Sequence, residues 1–296
     1  MSLRNSEAVR LAIPSKGRLR EPVLALLERA GVKVLYREEE RLLASPTTRS
    51  EVQAVFMRPE DIPMLVEVGA ADLGITGYDF IVEREADVEE ILDLKVGAAE
   101  IVLAVPQVSE VESLEDLPDG ARIATRYINL TSRFLGERLP NRRFKILQIS
   151  GAAEIMPMLG VADAIVDASS TGVTLKAHGL KVLEVLLKTS ARMIANKQLP
   201  EGKRRTVEEL KLMLDGVLQA GGKKMVMMNV PDRCLKEVLE VIPSMSGPTI
   251  ARVESKEPMW EVYAVMREEE VYDVILEAKK RGARDLVILE VEKIIP

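Results

Sequence analysis

Histidine and cysteine are almost missing from this chain of 296 residues, which carries only His178 and Cys234. A single cysteine excludes an intrachain disulfide and a cysteine-rich metal site, and a single histidine excludes a multi-histidine metal centre. Cys234 reads as a structural position on a helix, and His178 as a helix-end or solvated residue. Aromatic residues make up 3% of the chain, so Leu, Val, Ile and Met must fill the cores. That scarcity argues against a base-stacking nucleic-acid surface, as does a net charge of −6 from 41 basic and 47 acidic residues. No apolar run is long enough for a membrane span. Residues 1–10 are polar and lack the apolar core of a signal peptide, so a cytoplasmic protein with no membrane and no nucleic-acid partner is expected.

What is present is apolar material for substantial cores, 47% of the chain, at a length that suits two or three domains. Short apolar strands (residues 11–13, 52–56 and 73–75) alternate with helical patterns (21–30, 59–68 and from 78). A second series follows from residue 100: strands at 101–105, 122–124, 145–149 and 164–166, with helices at 113–117, 130–139 and 152–159. Such alternation predicts parallel α/β layers. Gln198 to Gly202 interrupts the pattern before a long helix over 206–220, and Gly221-Gly222 marks a boundary. Beyond it, strands at 223–230, 249–254, 260–266 and 285–291 and helices at 232–241 and 268–281 give a βαββαβ order, the ferredoxin-like arrangement.

Chemistry concentrates in residues 163–175, where an apolar strand ends at Asp167 and Ser169, Ser170, Thr171, Gly172, Val173 and Thr174 lead into a helix. A small-residue loop at a helix N-terminus offers backbone N–H groups and hydroxyls to a phosphate, and glycine permits close approach. Asp167 beside it would accept hydrogen bonds from ribose hydroxyls, which points to a phosphorylated sugar. The alternative is a plain turn with an N-cap.

Residues 160–180 resemble the phosphoribosyl-diphosphate loop of the ATP phosphoribosyltransferase family. Ile13-Pro14-Ser15-Lys16-Gly17-Arg18-Leu19, Arg58-Pro59-Glu60-Asp61-Ile62-Pro63, Ala71-Asp72-Leu73-Gly74-Ile75-Thr76-Gly77 and Arg122-Ile123-Ala124-Thr125-Arg126-Tyr127 resemble further family elements in the same order. Met227-Met228-Asn229-Val230-Pro231 and Ser246-Gly247-Pro248-Thr249-Ile250 resemble the family's long form, so the likeness runs from Leu11 to Ile295. It departs from many relatives at Ala168, Ser169, Lys176 and His178.

The resemblance implies an α/β fold: a two-lobe, periplasmic-binding-protein-like catalytic core and a C-terminal ferredoxin-like regulatory domain. Lobe one would be residues 1–100, completed by about 182–220; lobe two 101–181; the regulatory domain 221–296. It further implies Mg2+-dependent phosphoribosyl transfer from phosphoribosyl diphosphate to N1 of ATP, the first step of histidine biosynthesis, with histidine as inhibitor. The assembly would be a homo-oligomer, hexamer and dimer, needing no separate regulatory subunit. Magnesium would arrive on the diphosphate, so no protein metal cage is expected.

On that reading Lys16, Arg18 and Asp167 carry the reaction, the two cations neutralising polyphosphate oxygens. Substrate contacts would come from Arg58, Asp72, Gly74, Thr76, Gly77, Thr125, Tyr127, Glu154, Asp167, Ser169, Ser170, Thr171, Gly172, Val173 and Thr174, with Asp79 a further polar contact beside Thr76. Each has a simpler alternative. Lys16, Arg18 and Arg58 are otherwise surface cations, and the glycines otherwise serve tight packing. Tyr127 is either an adenine-stacking ring or half-buried filler, and Glu154 suits a helix dipole equally. Asn229 and Thr249 match positions near the family's histidine site, or are ordinary strand polarity. A ligand sensor on the same fold and a non-catalytic paralogue stay open as other classes.

Overall fold

The computed structural model describes residues 7–35, 44–170, 172–243, 245 and 247–295; the predicted contact Thr171 and Ser246 of the long-form motif lie outside these. Two compact units divide between Lys211 and Leu212.

In the first unit, β1 (Val9–Pro14), α1 (Arg20–Arg29), β2 (Ala44–Pro46), β3 (Val52–Met57), α2 (Ile62–Glu67), β4 (Leu73–Gly77), α3 (Tyr78–Arg84) and β5 (Glu89–Asp93) build one lobe. Its sheet has the order β2-β3-β1-β4, then β11 (Ala191–Ala195), then β5, with β1 parallel to both β3 and β4. The chain then enters a second lobe through β6 (Ala99–Pro106), β7 (Arg122–Thr125), α4 (Ile128–Arg138), β8 (Lys145–Gln148), β9 (Ala164–Ser169), α5 (Val173–Ala177) and β10 (Leu180–Thr189). That sheet runs β10-β6-β9-β7-β8, with β7 parallel to β8 and β9. Two sheets joined by an outward and a returning crossing make the two-lobe, periplasmic-binding-protein-like core.

The return begins later than expected. β10 pairs antiparallel with β6 along its length, so residues 182–189 belong to lobe two and only β11 rejoins the first sheet. A single strand's pattern does not reveal its non-local partner. Two expected helices also shrink to single 3-10 turns, Leu114–Asp116 and Ala153–Ile155. Pro118 ends the first; Pro157 supplies no N–H to continue the second, whose preceding residue Ala152 already has φ +55°.

α6 (Glu201–Ala220) starts before the expected position and presents Val207, Leu210, Leu214 and Val217 as one buried stripe. In the second unit, β12 (Lys223–Pro231), α7 (Leu235–Leu239), β13 (Thr249–Val253), β14 (Met259–Arg267), α8 (Glu268–Lys280) and β15 (Arg284–Glu290) follow. The sheet order β13-β14-β12-β15, antiparallel throughout, is ferredoxin-like. Val226, Met228 and Val230 alternate along β12 into a core with Val262, Val271 and Val274.

Candidate functional site

The predicted site loops leave the carboxyl ends of parallel strands, where an α/β sheet presents its ligands. Residues 15–19 follow β1, 58–61 follow β3, 126–127 follow β7 and 149–155 follow β8; residues 170–174 follow β9. The loops after β1 and β7 meet at a buried acid. Asp79, in the first turn of α3, is wholly shielded from solvent. Its Oδ1 accepts from Arg18 Nη2 at 3.1 Å and from Thr189 Oγ1 at 2.7 Å, and its Oδ2 accepts from the Tyr127 hydroxyl at 2.8 Å. Arg18 Nε also donates to the Gly97 carbonyl at 3.3 Å. The Arg18 side chain keeps 28% of its surface exposed, so its remaining donors stay within reach of an anion.

Across from it, Asp167 is 20% exposed, and Arg126 Nε stands 3.9 Å from its Oδ1. Burial pushes the Asp167 carboxyl above its ordinary value. The Ala168 N–H and the charges of Arg126 and Arg18 pull the other way, and Glu154 adds to the rise. Two arginines from different lobes therefore act on one partly buried carboxylate, a concentration of charge suited to a polyphosphate ester. Beside this cluster a cavity of about 560 Å3 opens between the lobes, with Phe80 and Glu83 on one side and Arg126, Asn129 and Gln148 on the other. A second, of about 620 Å3, is lined by Ser169, Ser170, Gly172 and Thr189.

The loop after β9 is built as a cradle. Ser169 Oγ accepts the Gly172 N–H at 3.0 Å, so that hydroxyl shapes the loop. Gly172 has φ +71°, a left-handed value that suits glycine, and a Cβ there would meet nothing within 4 Å. Val173 and Thr174 are exposed at the start of α5, where N–H groups lack helical acceptors. Lys16 is exposed after β1, Arg58 is exposed after β3, and Glu154 is half-buried near Asp167.

Several predicted contacts are instead internal. Asp72 precedes β4, at the end of the strand away from the site. It binds Arg10 through both carboxylate oxygens and Lys203 Nζ at 2.8 Å. Burial opposes its ionisation, but the bonds from Arg10 and Lys203 prevail and hold it below the ordinary value. Thr76 Oγ1 donates to the Pro59 carbonyl at 2.7 Å, and Thr125 Oγ1 donates to the Val166 carbonyl at 2.7 Å while accepting the Tyr127 N–H. Both hydroxyls are buried and shape the strand ends. Gly74 lies against Ile62 and Val66, and a Cβ on Gly77 would come 2.1 Å from Asp79 Oδ1, so both glycines make room for protein. Tyr127 is 1% exposed, with its ring 5.9 Å from Phe80, and so offers no face to adenine. Burial and the Asp79 charge push its phenol well up, keeping the proton on the oxygen.

From the sequence Asp79 has only a passing place as a polar contact, and Arg126 faces the expected cleft without an assigned role. A two-residue offset from Gly77 and a cation directly after a strand were the available signals. In the second unit, Asn229 and Thr249 sit on one face of the sheet with β14 between them, since Asn229 opposes Glu261 and Thr249 opposes Tyr263. Asn229 Nδ2 donates to Asp285 Oδ2 at 3.1 Å, and Thr249 is exposed.

A family model described as HisG, ATP phosphoribosyltransferase, matches residues 58–216, and one described as the HisG C-terminal domain matches 220–293. The chain belongs to the ATP phosphoribosyltransferase family. An ATP phosphoribosyltransferase of Ignicoccus hospitalis is 50% identical over 288 residues, covering 97% of this chain and all of the relative. One of Methanopyrus kandleri is 49% identical over 290 residues, with 97% and 100% covered. A solved chain from the ATP phosphoribosyl transferase (HisG:HisZ) complex of Thermotoga maritima is 29% identical with a TM-score of 0.58, covering 70% of this chain and 98% of that one. The enzyme is thus a phosphoribosyl glycosyltransferase acting in the first step of histidine biosynthesis. Among its described residues no helix is long and apolar enough to cross a membrane.

Proposed function

We propose that the enzyme joins N1 of ATP to the anomeric carbon of phosphoribosyl diphosphate in the cleft where Arg18, Arg126 and Asp167 converge. That convergence, from the ends of β1, β7 and β9, is the observation that carries the reading. The C1′–O bond to diphosphate breaks as the N1–C1′ bond forms, and the carbon inverts. An uncharged ring nitrogen has a lone pair to offer, so the step asks for alignment and for charge stabilisation rather than a strong base. Arg18, Lys16 and Arg126 neutralise the departing diphosphate, while Asp167 accepts from ribose hydroxyls and faces the cationic sugar. Residues 169–174 hold the 5′-phosphate with Thr174, Ser170 and backbone N–H groups. Arg58 extends the basic rim, and the 560 Å3 cavity takes the nucleotide between Phe80 and the polar groups of Asn129 and Gln148. Magnesium would arrive bound to the diphosphate, where its charge would help the leaving group depart, and Asp167 and Glu154 would be available to its waters.

Histidine would bind the second unit near Asn229 and Thr249 and inhibit by favouring one of two domain or assembly states, the assemblies being hexamer and dimer. The Thermotoga chain, taken from a two-component complex, covers 70% of this one, and a C-terminal family model covers 220–293. In this reading the second unit serves in place of a separate regulatory subunit, in a cytoplasmic enzyme. Incubation with ATP, phosphoribosyl diphosphate and magnesium should yield phosphoribosyl-ATP by mass and release diphosphate. Binding without product would return the protein to the class of ligand sensors.

A further inference from the structure

The reaction as described makes no use of Asp79, a carboxylate with zero exposure bonded to Arg18. Burying such a charge is costly unless donors surround it. Its donors come from three separate segments: Arg18 in the loop after β1, Tyr127 after β7, and Thr189 at the end of the last strand before the chain returns to lobe one. The Asp79 N–H in turn donates to Thr189 Oγ1 at 3.0 Å, so the threonine is held in both directions. Gly77 keeps the space open, because any Cβ there would lie 2.1 Å from Asp79 Oδ1. α3 also reaches into lobe two, with Phe80 in that lobe's core and the Glu83 carboxylate accepting the N–H groups of Asn129 and Leu130 at the start of α4.

We propose that Asp79 is the positioning residue of the transfer site: it aims the Arg18 guanidinium at the cleft and, through Tyr127 and Thr189, fixes the register between the lobes that carry Arg18 and Asp167. The proposal rests on Arg18 being an anion ligand. With Nε on the Gly97 carbonyl and one Nη2 proton on Asp79, two of five N–H donors are held and three remain for an anion. A guanidinium clamped along one edge presents those three in a fixed fork. Without the clamp, substrate must order the side chain itself, and that cost falls on capture of the anionic substrate.

The test is a double-mutant cycle in initial-rate kinetics, using Asp79→Asn, Arg18→Ala and the two combined, with thermal melting recorded alongside. Asp79→Asn should raise KM for phosphoribosyl diphosphate by roughly tenfold, with a smaller change for ATP, as expected for loss of one charge-assisted contact. In the Arg18→Ala background the same change should add little. Tyr127→Phe keeps the ring against Phe80 and should shift the same KM in the same direction, and it carries the cycle if Asp79→Asn does not fold. Unaltered kinetics in folded Asp79→Asn beside an impaired Arg18→Ala, or losses that simply add in the double variant, would overturn the positioning role. Full activity in Arg18→Ala would instead remove the anion-ligand reading beneath it.

Discussion

At Asp167, burial and the neighbouring arginines pull in opposite directions, and burial prevails. The folded state therefore holds the Asp167 proton more tightly than the unfolded chain, whose carboxyl titrates near 3.8. Between that value and the raised one, stability falls as pH rises, and above it the ionised group bears its full cost. Asp167→Asn should accordingly melt at or above the wild-type temperature near pH ~7 and lose that advantage toward pH ~4. Thermal unfolding across this range checks it; a lower melting temperature at neutral pH would contradict the balance described. Arg18 and Asp167 were legible in the sequence because one follows an apolar strand and the other directly follows the apolar residues of β9, each within a distinctive motif. Asp72, Thr76, Thr125 and Tyr127 sit in equally distinctive motifs yet turn inward. Residue type does not tell which carbonyl a hydroxyl will meet, and only the Arg10 and Lys203 side chains, far away in sequence, reveal Asp72 as an anchor of the fold.

Among the elements, the loop between β9 and α5 is the most exposed to a single change. A Cβ at Gly172 would meet nothing within 4 Å, but the backbone is left-handed, so Gly172→Val strains the turn by about 1–2 kcal/mol. The strain should open the Ser169–Gly172 bond and disorder the cradle. The expected outcome is a modestly lowered melting temperature with a loss of phosphoribosyl diphosphate capture far larger than that for ATP. Equal capture in a folded Gly172→Val variant would take the phosphate site out of this loop. Element order was readable from alternating apolar strands and helical patterns. Less so were the helix expected at 152–159, which Pro157 cuts to one turn, and β10, whose sheet is decided by pairing with β6. α3 escaped notice as a bridge because Phe80 and Ile81 look alike in sequence, although one joins the core of lobe two and the other that of lobe one.

Over the whole molecule, a glycine pair predicted the boundary before the last sheet, but the second unit reaches further back. The Ile294 N–H donates to the Gly216 carbonyl at 2.9 Å, so the chain's last residues pack on the end of α6. Truncation at Gly221 therefore also uncovers that part of the helix, where a Cβ on Gly216 would meet Ile295 at 2.7 Å. Calorimetric titration of histidine should give binding to the full chain, none to a chain ending at Ala220, and weakened binding to Thr249→Ala with its catalytic rate intact when histidine is absent. Equal binding by the full and shortened chains would place the effector outside this unit.

Transfer at an anion site shared by the two lobes is the central claim, and quantifying phosphoribosyl-ATP formed per unit time by wild type and Arg18→Ala tests it most directly. Among the described residues the guanidinium hydrogen-bonds Asp79 and Gly97, and its removal leaves the buried Asp79 carboxylate without that cation, so melting should fall. Tyr127 and Thr189 still donate to Asp79, and the enzyme stays folded under assay. Turnover per KM for phosphoribosyl diphosphate should nevertheless fall by roughly tenfold to a hundredfold. Wild-type rates from a folded Arg18→Ala enzyme would contradict the claim and move the diphosphate site elsewhere.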